Sequence, residues 1–336
     1  MSRALVRRAA ANRLNLEDLH HMKRHFSITF ICVHFFLPAL WLIPNQAAGE
    51  ETTLNDLRPS ILAGTWYPGT PDALAKTIQG YLSEVKTPGP AGTLKAIIVP
   101  HAGYRYSGPI AAYAYKPLRD LRFQRVILVG PSHRVPFEGV SVNLQAGYQT
   151  PLGIVPVDQE TAKKILHAGS HIQWLRDVHS QEHSLEIQLP FLQTVLRDFK
   201  IVPIIMGRQD FETCSNLANT LVQVLGDGKG TLLLASSDLS HYHAYNQARA
   251  LDLQFIKDVE SFDPQALTRD LSAGKCEACG GGPVATILLA AKAMGANRAV
   301  ILNHANSGDV TGDHSRVVGY LAAALVRTSD TDPHPR

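Results

Sequence analysis

Apolar residues along this chain gather into short unbroken runs: residues 95–100 (KAIIVP), 125–130 (RVILVG), 201–206 (IVPIIM), 231–235 (TLLLA) and 298–303 (RAVILN), with a sixth over 317–326. A strand that is apolar on both faces needs cover on both, so these runs predict strands held between helices. Helical segments separate them, over residues 72–85, 109–118, 159–168, 185–198, 212–225, 244–259 and 283–294. This alternation predicts an α/β fold, a three-layer αβα sandwich around a central mixed or largely parallel sheet. Residues 139–144 (GVSVNL) and an extended stretch near Ile154 predict an added β-edge. A single domain over residues 50–327 accommodates these elements, with a Pro/Gly-containing connector at 84–95. The polar tail at 328–336, with two prolines, predicts disorder.

The first 49 residues read differently. A short basic stretch, Met22-Lys23-Arg24-His25, precedes a strongly apolar run from Phe26 to Ile43, and Ala47-Ala48-Gly49 suits a signal-peptidase site. Met22 is a natural alternative start. The expectation is an exported, periplasmic or extracytoplasmic protein with a cleaved signal. The alternative is a membrane anchor retained at residues 1–49, because the apolar run approaches the length that spans a bilayer. This segment also explains the formal charge of +3. It holds six of the 32 basic residues and two of the 29 acidic ones, leaving 26 against 27 in the remainder. No basic footprint is left to argue for nucleic acid.

Candidate chemistry collects where the apolar runs end. KAIIVP leads into His101-Ala102-Gly103-Tyr104, RVILVG into Pro131-Ser132-His133, and TLLLA into Ser236-Ser237-Asp238-Leu239-Ser240-His241. Ligands of open α/β sheets bind beyond the carboxyl ends of the strands, so these groups are expected on one rim. Cys279 opens Cys279-Gly280-Gly281-Gly282-Pro283 ahead of a helical stretch. The positive end of a helix is expected to lower its pKa and favour the thiolate, which binds metals and attacks electrophiles. The bland reading is a buried structural thiol beside a glycine turn. A disulfide with Cys276 is a further alternative in an exported chain. Cys214, in a helical stretch, reads as core. His183, in Glu182-His183-Ser184-Leu185-Glu186, reads as a group pointing into the site, whereas His243, His304 and His314 read as surface. Asp158, Asp309 and Asp313 read as caps or turn residues.

Six segments together resemble the Memo-like family, described in bacteria as AmmeMemoRadiSam system protein B. They are Ala63-Gly64-Thr65-Trp66-Tyr67-Pro68, Pro100-His101-Ala102-Gly103-Tyr104, Gly130-Pro131-Ser132-His133, Glu182-His183-Ser184-Leu185-Glu186, Ser236-Ser237-Asp238-Leu239-Ser240-His241 and Cys279-Gly280. The resemblance implies a fold similar to class III extradiol dioxygenases and one mononuclear transition-metal site on His101, His133 and Cys279. Asp238 and His241 match positions beside that site, with His241 implied as acid/base group and Asp238 as an orienting carboxylate. Trp66 and Tyr104 match positions that line the pocket. Family members are linked to iron and copper, and two imidazoles with a thiolate suit Fe, Cu or Zn better than Mg or Ca. The dioxygenases use a carboxylate where this chain has a thiolate, which counts against ordinary extradiol ring cleavage.

The leading functional expectation is therefore a redox-active metalloprotein, an iron or copper oxidoreductase. One alternative is a non-catalytic scaffold that binds metal or peptide, its ligand a small molecule or a peptide. Another is a cysteine hydrolase with Cys279 as nucleophile and His241 or His133 as base. No G-x-S-x-G elbow is present to support a serine hydrolase.

Overall fold

The computed structural model describes residues 56–329. The signal or anchor expected at residues 1–49, and the tail beyond Ser329, lie outside the described residues. Within the described residues no helix is long and apolar enough to cross a membrane.

In chain order the first half comprises β1 (Leu57–Arg58), α1 (Pro71–Glu84), β2 (Thr93–Val99), α2 (Tyr104–Tyr115), β3 (Arg125–Pro131), β4 (Val140–Val142), β5 (Gly147–Thr150), β6 (Gly153–Pro156), α3 (Gln159–Ala168), β7 (Ile172–Gln173) and α4 (Arg176–Ser180). The second half adds α5 (Leu189–Val195), β8 (Lys200–Met206), α6 (Phe211–Leu225), β9 (Thr231–Ser236), β10 (His241–His243), α7 (Tyr245–Glu260), α8 (Pro264–Ser272), α9 (Gly281–Ala293), β11 (Arg298–Asn306), α10 (Ser307–Thr311) and β12 (Val317–Arg327).

Strands β2, β9, β3 and β8 lie side by side and run parallel. Around them the sheet continues in the order β10-β12-β2-β9-β3-β8-β4-β7, with β11 also paired to β12. The flanking pairs β12 with β2, β11 with β12, and β4 with β8 are antiparallel, so the sheet is mixed around a parallel centre. A separate small sheet joins β1, β5 and β6.

Successive strand residues point to opposite faces, and the core follows that alternation. Ile97, Val99, Val126, Leu128, Leu232 and Leu234 pack toward α1, α2 and α5 on one side. Ala96, Ile98, Ile127, Val129, Leu233 and Ala235 pack toward α3, α6, α7, α8 and α9 on the other. These are the three layers expected from strands apolar on both faces. Helix α9 is apolar all round because the sheet covers one side and α6 and α8 cover the rest.

Several boundaries differ from the sequence reading. Helix α2 begins at Tyr104, and Pro109 lies inside it instead of opening it. The stretch expected as one helix over 185–198 is a 3₁₀ turn at Glu186–Gln188 followed by α5, with Pro190 in the first turn of α5. The two-to-four-residue strands β1, β5, β7 and β10 carry too few periodic positions to stand out, and the nine-residue helix α8 is an addition to the helices expected.

Candidate functional site

Strands β2, β9 and β3 are neighbours, and each delivers chemistry at its carboxyl end. His101 follows β2, Asp238 follows β9 and His133 follows β3. The imidazole ring centres of His101 and His133 are 5.1 Å apart. His183, from the loop before α5, lies 4.4 Å from His133 and 5.4 Å from His101, ring centre to ring centre. One nitrogen from each of these three histidines falls within 4.8 Å of the other two. Cys279, just ahead of α9, places its Sγ 3.1 Å from His101 Nε2. The group drawn together most closely thus has His183 as its third member, with Cys279 flanking His101.

The proton positions follow from the hydrogen-bond network. Ser236 Oγ spends its one proton on the Ser184 carbonyl at 2.6 Å and accepts from Gln188 Nε2 at 2.8 Å. It must therefore also accept from His101 Nδ1, 2.9 Å away. That leaves His101 Nε2 as the bare nitrogen, facing the Cys279 thiol. Glu182 does the same for His133, accepting from Nδ1 at 3.0 Å and from the backbone N–H at 2.7 Å. A carboxylate on the far nitrogen fixes the tautomer and orientation of a metal-binding imidazole. Burial alone would raise the Glu182 pKa, but the hydrogen bonds and charge of His133 outweigh it and hold the carboxyl down to about 2. His183 Nδ1 is buried without a hydrogen bond; its nearest acid oxygen, on Glu182, is 3.4 Å away.

Asp238 Oδ1 accepts from the backbone N–H groups of His101 and Ala102 at 2.7 and 3.3 Å, locking the turn after β2. Burial lifts its pKa to about 7 against the pull of those donors. His241 donates from Nδ1 to the Leu239 carbonyl at 2.7 Å, so in the neutral ring Nε2 is left free, on a ring that lines the cleft. Burial lowers the pKa of His241, and lowers that of His101 further.

The structure overturns one local expectation. Cys279 does precede a helix, but burial, and after it the charge of Asp238, push its thiol pKa up. With the His101 proton on Nδ1, the metal-free thiol is the donor in its 3.1 Å contact with His101 Nε2. The dipole effect falls off within a turn and is worth about 1 kcal/mol, less than the cost of a buried anion. Gly280 is required for this approach, since a Cβ there would lie 2.4 Å from the Ser236 carbonyl oxygen. Cys214, Cys276 and Cys279 are all free thiols, and Cys276 faces Asp258, so no disulfide joins it to Cys279.

A cleft of about 980 Å³ opens over the histidines, lined among others by Trp66, His101, His133, His183, Asp238 and His241. Trp66 packs against His183 with ring centres 4.6 Å apart. Tyr104, expected to line this cleft, lies in the core beneath it. It is 3% exposed, donates to the Ile187 carbonyl at 2.9 Å and packs on Tyr67 and Phe191. Its position at the start of α2 turns the side chain toward α5.

Trp66 and His183 are held in register by a pair that sequence reasoning missed. Arg58 is 1% exposed and pairs with the buried Glu186 at 2.5 Å, while also donating to the His179 and Glu182 carbonyls. Glu186 additionally accepts from Ser60 Oγ, the Ile61 and Leu62 backbone N–H groups and Tyr67 Oη. Among the residues expected at the surface, His243 pairs with Glu277 at 2.8 Å. Asp158 caps α3, and Asp309 completes the capping box of α10.

Buried neutral imidazoles give a stability prediction for the chelated chain. Burial holds His179 at about 3 and His183 at about 4, with His101 also depressed, against 6.5 for a free imidazole. Between pH 6.5 and about 4 the unfolded chain takes up these protons and the folded chain does not, so stability falls as pH falls. Asp238 at about 7 and Asp252 at about 6 oppose this, because the folded state keeps protons that the unfolded carboxyls release. With His241 also lowered and Asp258 also raised, four histidines face three such carboxyls, and a net uptake of about one proton on unfolding costs roughly 1.4 kcal/mol per pH unit. Urea midpoints are expected to drop between pH 7 and pH 5; equal midpoints would contradict the buried neutral histidines.

A family model described as Memo-like protein matches residues 58–324. A MEMO1 family protein of Nitrosopumilus maritimus is 36% identical over 275 residues, covering 80% of this chain and 100% of that protein. Another, from Methanopyrus kandleri, is 35% identical over 282 residues, covering 80% and 99%. A third, from Methanocaldococcus jannaschii, is 37% identical over 287 residues, covering 81% and 100%. A solved Escherichia coli K12 structure, titled as an uncharacterized protein, overlays with a TM-score of 0.45 at 13% identity, covering 69% of this chain and 99% of that one. That likeness is too loose to add to the fold described above.

Proposed function

Because the chain belongs to the Memo-like family, we propose that it is a metalloprotein with one transition-metal centre on His101, His133 and Cys279, iron or copper first and zinc third. The observation that carries this reading is the set of prearranged bare donors. His101 and His133 each have Nδ1 committed to Ser236 or Glu182, which leaves Nε2 as the uncommitted ring nitrogen, and a thiol lies beside His101. A buried, unbonded His183 Nδ1 beside them is what a site shaped for a cation leaves behind. Imidazole and thiolate donors suit iron, copper or zinc, and disfavour Mg and Ca. A bound iron or copper would supply redox chemistry to a small molecule in the cleft.

The chain's own residues would do the rest. His241, with Nδ1 pinned to Leu239, offers Nε2 as the proton acceptor. Asp238 holds the turn that carries His101, and Trp66 forms part of the cleft wall. We assign the protein to the exported fraction on the basic-then-apolar sequence of residues 22–49.

A second reading takes His183 in place of Cys279 as third ligand, favoured by the closeness of the three imidazoles. The founding test is metal content of the full chain, purified anaerobically and reconstituted separately with Fe(II), Cu(I) and Zn(II). About one metal per chain is expected for at least one of them. No retained metal from any of the three would overturn the metalloprotein reading and direct attention to Cys279 as a nucleophile.

A further inference from the structure

The cleft over the histidines carries a charge pattern that metal binding does not account for. Three arginines from three separate elements reach it: Arg105 in the first turn of α2, Arg134 beside His133, and Arg316 just before β12. Among the described residues none of the three pairs with a carboxylate. The contacts they make are aromatic: Arg105 lies 5.8 Å from the Tyr106 ring centre and Arg316 lies 5.2 Å from that of Tyr242.

The two acids that line the same cleft offset the three arginines only in part. Asp238 is at the floor with Oδ1 committed to two backbone N–H groups, and Asp313 accepts from the Ser315 backbone and hydroxyl. Buried neutral imidazoles add no negative charge. Unpaired cations around a concave site focus a positive potential into it and raise the local concentration of anions. A guanidinium also presents a planar fork that fits the two oxygens of a carboxylate or phosphate. A cavity of about 980 Å³ is the size that takes a small molecule. Tyr242, 62% exposed, and Tyr106, 37% exposed, offer flat apolar faces at the same mouth.

We propose that the cleft binds a small organic oxyanion, its carboxylate or phosphate held by Arg105, Arg134 and Arg316 and its body directed toward the histidine cluster. This deepens the metal-centre reading by naming the substrate class, and it rests on that reading for what the ligand meets at the cleft floor. Anion recognition itself needs only the arginines, so the two can be tested apart.

The experiment is calorimetric titration of the chelator-treated full chain with benzoate, phenyl phosphate and inorganic phosphate, beside uncharged benzyl alcohol. Arg105→Gln, Arg134→Gln and Arg316→Gln are compared with the parent, and metal content of each reconstituted protein is measured in parallel. The organic anions are expected to bind and benzyl alcohol not to, with affinity falling roughly tenfold for each arginine that contacts the anion. Stronger binding of benzoate or of phenyl phosphate decides between carboxylate and phosphate. Metal content in the three variants is expected to match the parent, since none of these arginines is a donor. Equal binding of charged and neutral probes, or anion affinity unchanged in all three variants, would overturn the proposal and leave the metal reading standing. Anion binding that appears only after metal loading and ignores the arginines would overturn it too, by making the anion a metal ligand. Failure to load metal in the parent, with arginine-dependent anion binding intact, would instead overturn the metal reading alone.

Discussion

Replacing His101 by alanine is expected to abolish metal retention, with affinity reduced by more than about 100-fold, because loss of a mere supporting hydrogen bond around a metal already costs about 10–100-fold. His101 shares with His133 the place of a donor in both ligand sets: its Nε2 faces Cys279 Sγ at 3.1 Å, and it belongs to the group with His133 and His183. The same series decides the third ligand. If Cys279 supplies it, Cys279→Ser loses metal while His183→Ala keeps it; the reverse pattern assigns the position to His183. Metal content by mass spectrometry, with circular dichroism to confirm folding, reads all three. Retention of metal by His101→Ala would refute a centre at the ends of β2 and β3 altogether. His101→Ala also leaves Ser236 without one of its three partners, so the folding control is essential.

Arg58→Ala is expected to destabilise the protein by roughly 3–5 kcal/mol, the usual cost of stranding one member of a buried ion pair. The stranded partner is Glu186, fully buried, whose carboxylate also receives Ser60, Ile61, Leu62 and Tyr67. Two carbonyls, of His179 and Glu182, would lose their donor as well. For a body of this size the loss corresponds to a fall in melting temperature on the order of 10 °C. Arg58→Lys is expected to recover little, since one ammonium on a flexible stem cannot reproduce the fixed fork that reaches several acceptors. Removing the charge from both sides, as in Arg58→Met with Glu186→Gln, is expected to cost less than Arg58→Ala alone, because no buried charge is then left unpaired. A change below about 1 kcal/mol for Arg58→Ala would mean the pair is only a packing contact.

Much of this arrangement was legible in the chain because it depends on local rules. Strands apolar on both faces called for helices above and below. Polar groups immediately following three such strands pointed to one rim, and His101, Asp238 and His133 meet there because β2, β9 and β3 are neighbours. Asp158, followed by a periodic stretch, announced the cap of α3.

Other features had no local signature. Arg58 sits in an ordinary-looking segment and acquires its role through Glu186, 128 residues away. Glu182 and Glu186 flank His183 within one short motif, yet one carboxylate orients His133 and the other anchors the segment leading to Trp66. Periodicity cannot say which way either points.

The sequence by itself determined the layer architecture, the strand-end placement of the histidines and the glycine-bounded entry of Cys279, since each follows from side-chain period or backbone sterics within a few residues. Tertiary structure alone decided that His183, expected only to point into the site, comes within donor distance of His101 and His133, that Tyr104 turns into the core, and that burial pushes the Cys279 thiol pKa up. Those outcomes depend on burial and on partners brought from distant parts of the chain. In a low-dielectric interior the loss of hydration outweighs the local pull of a helix end.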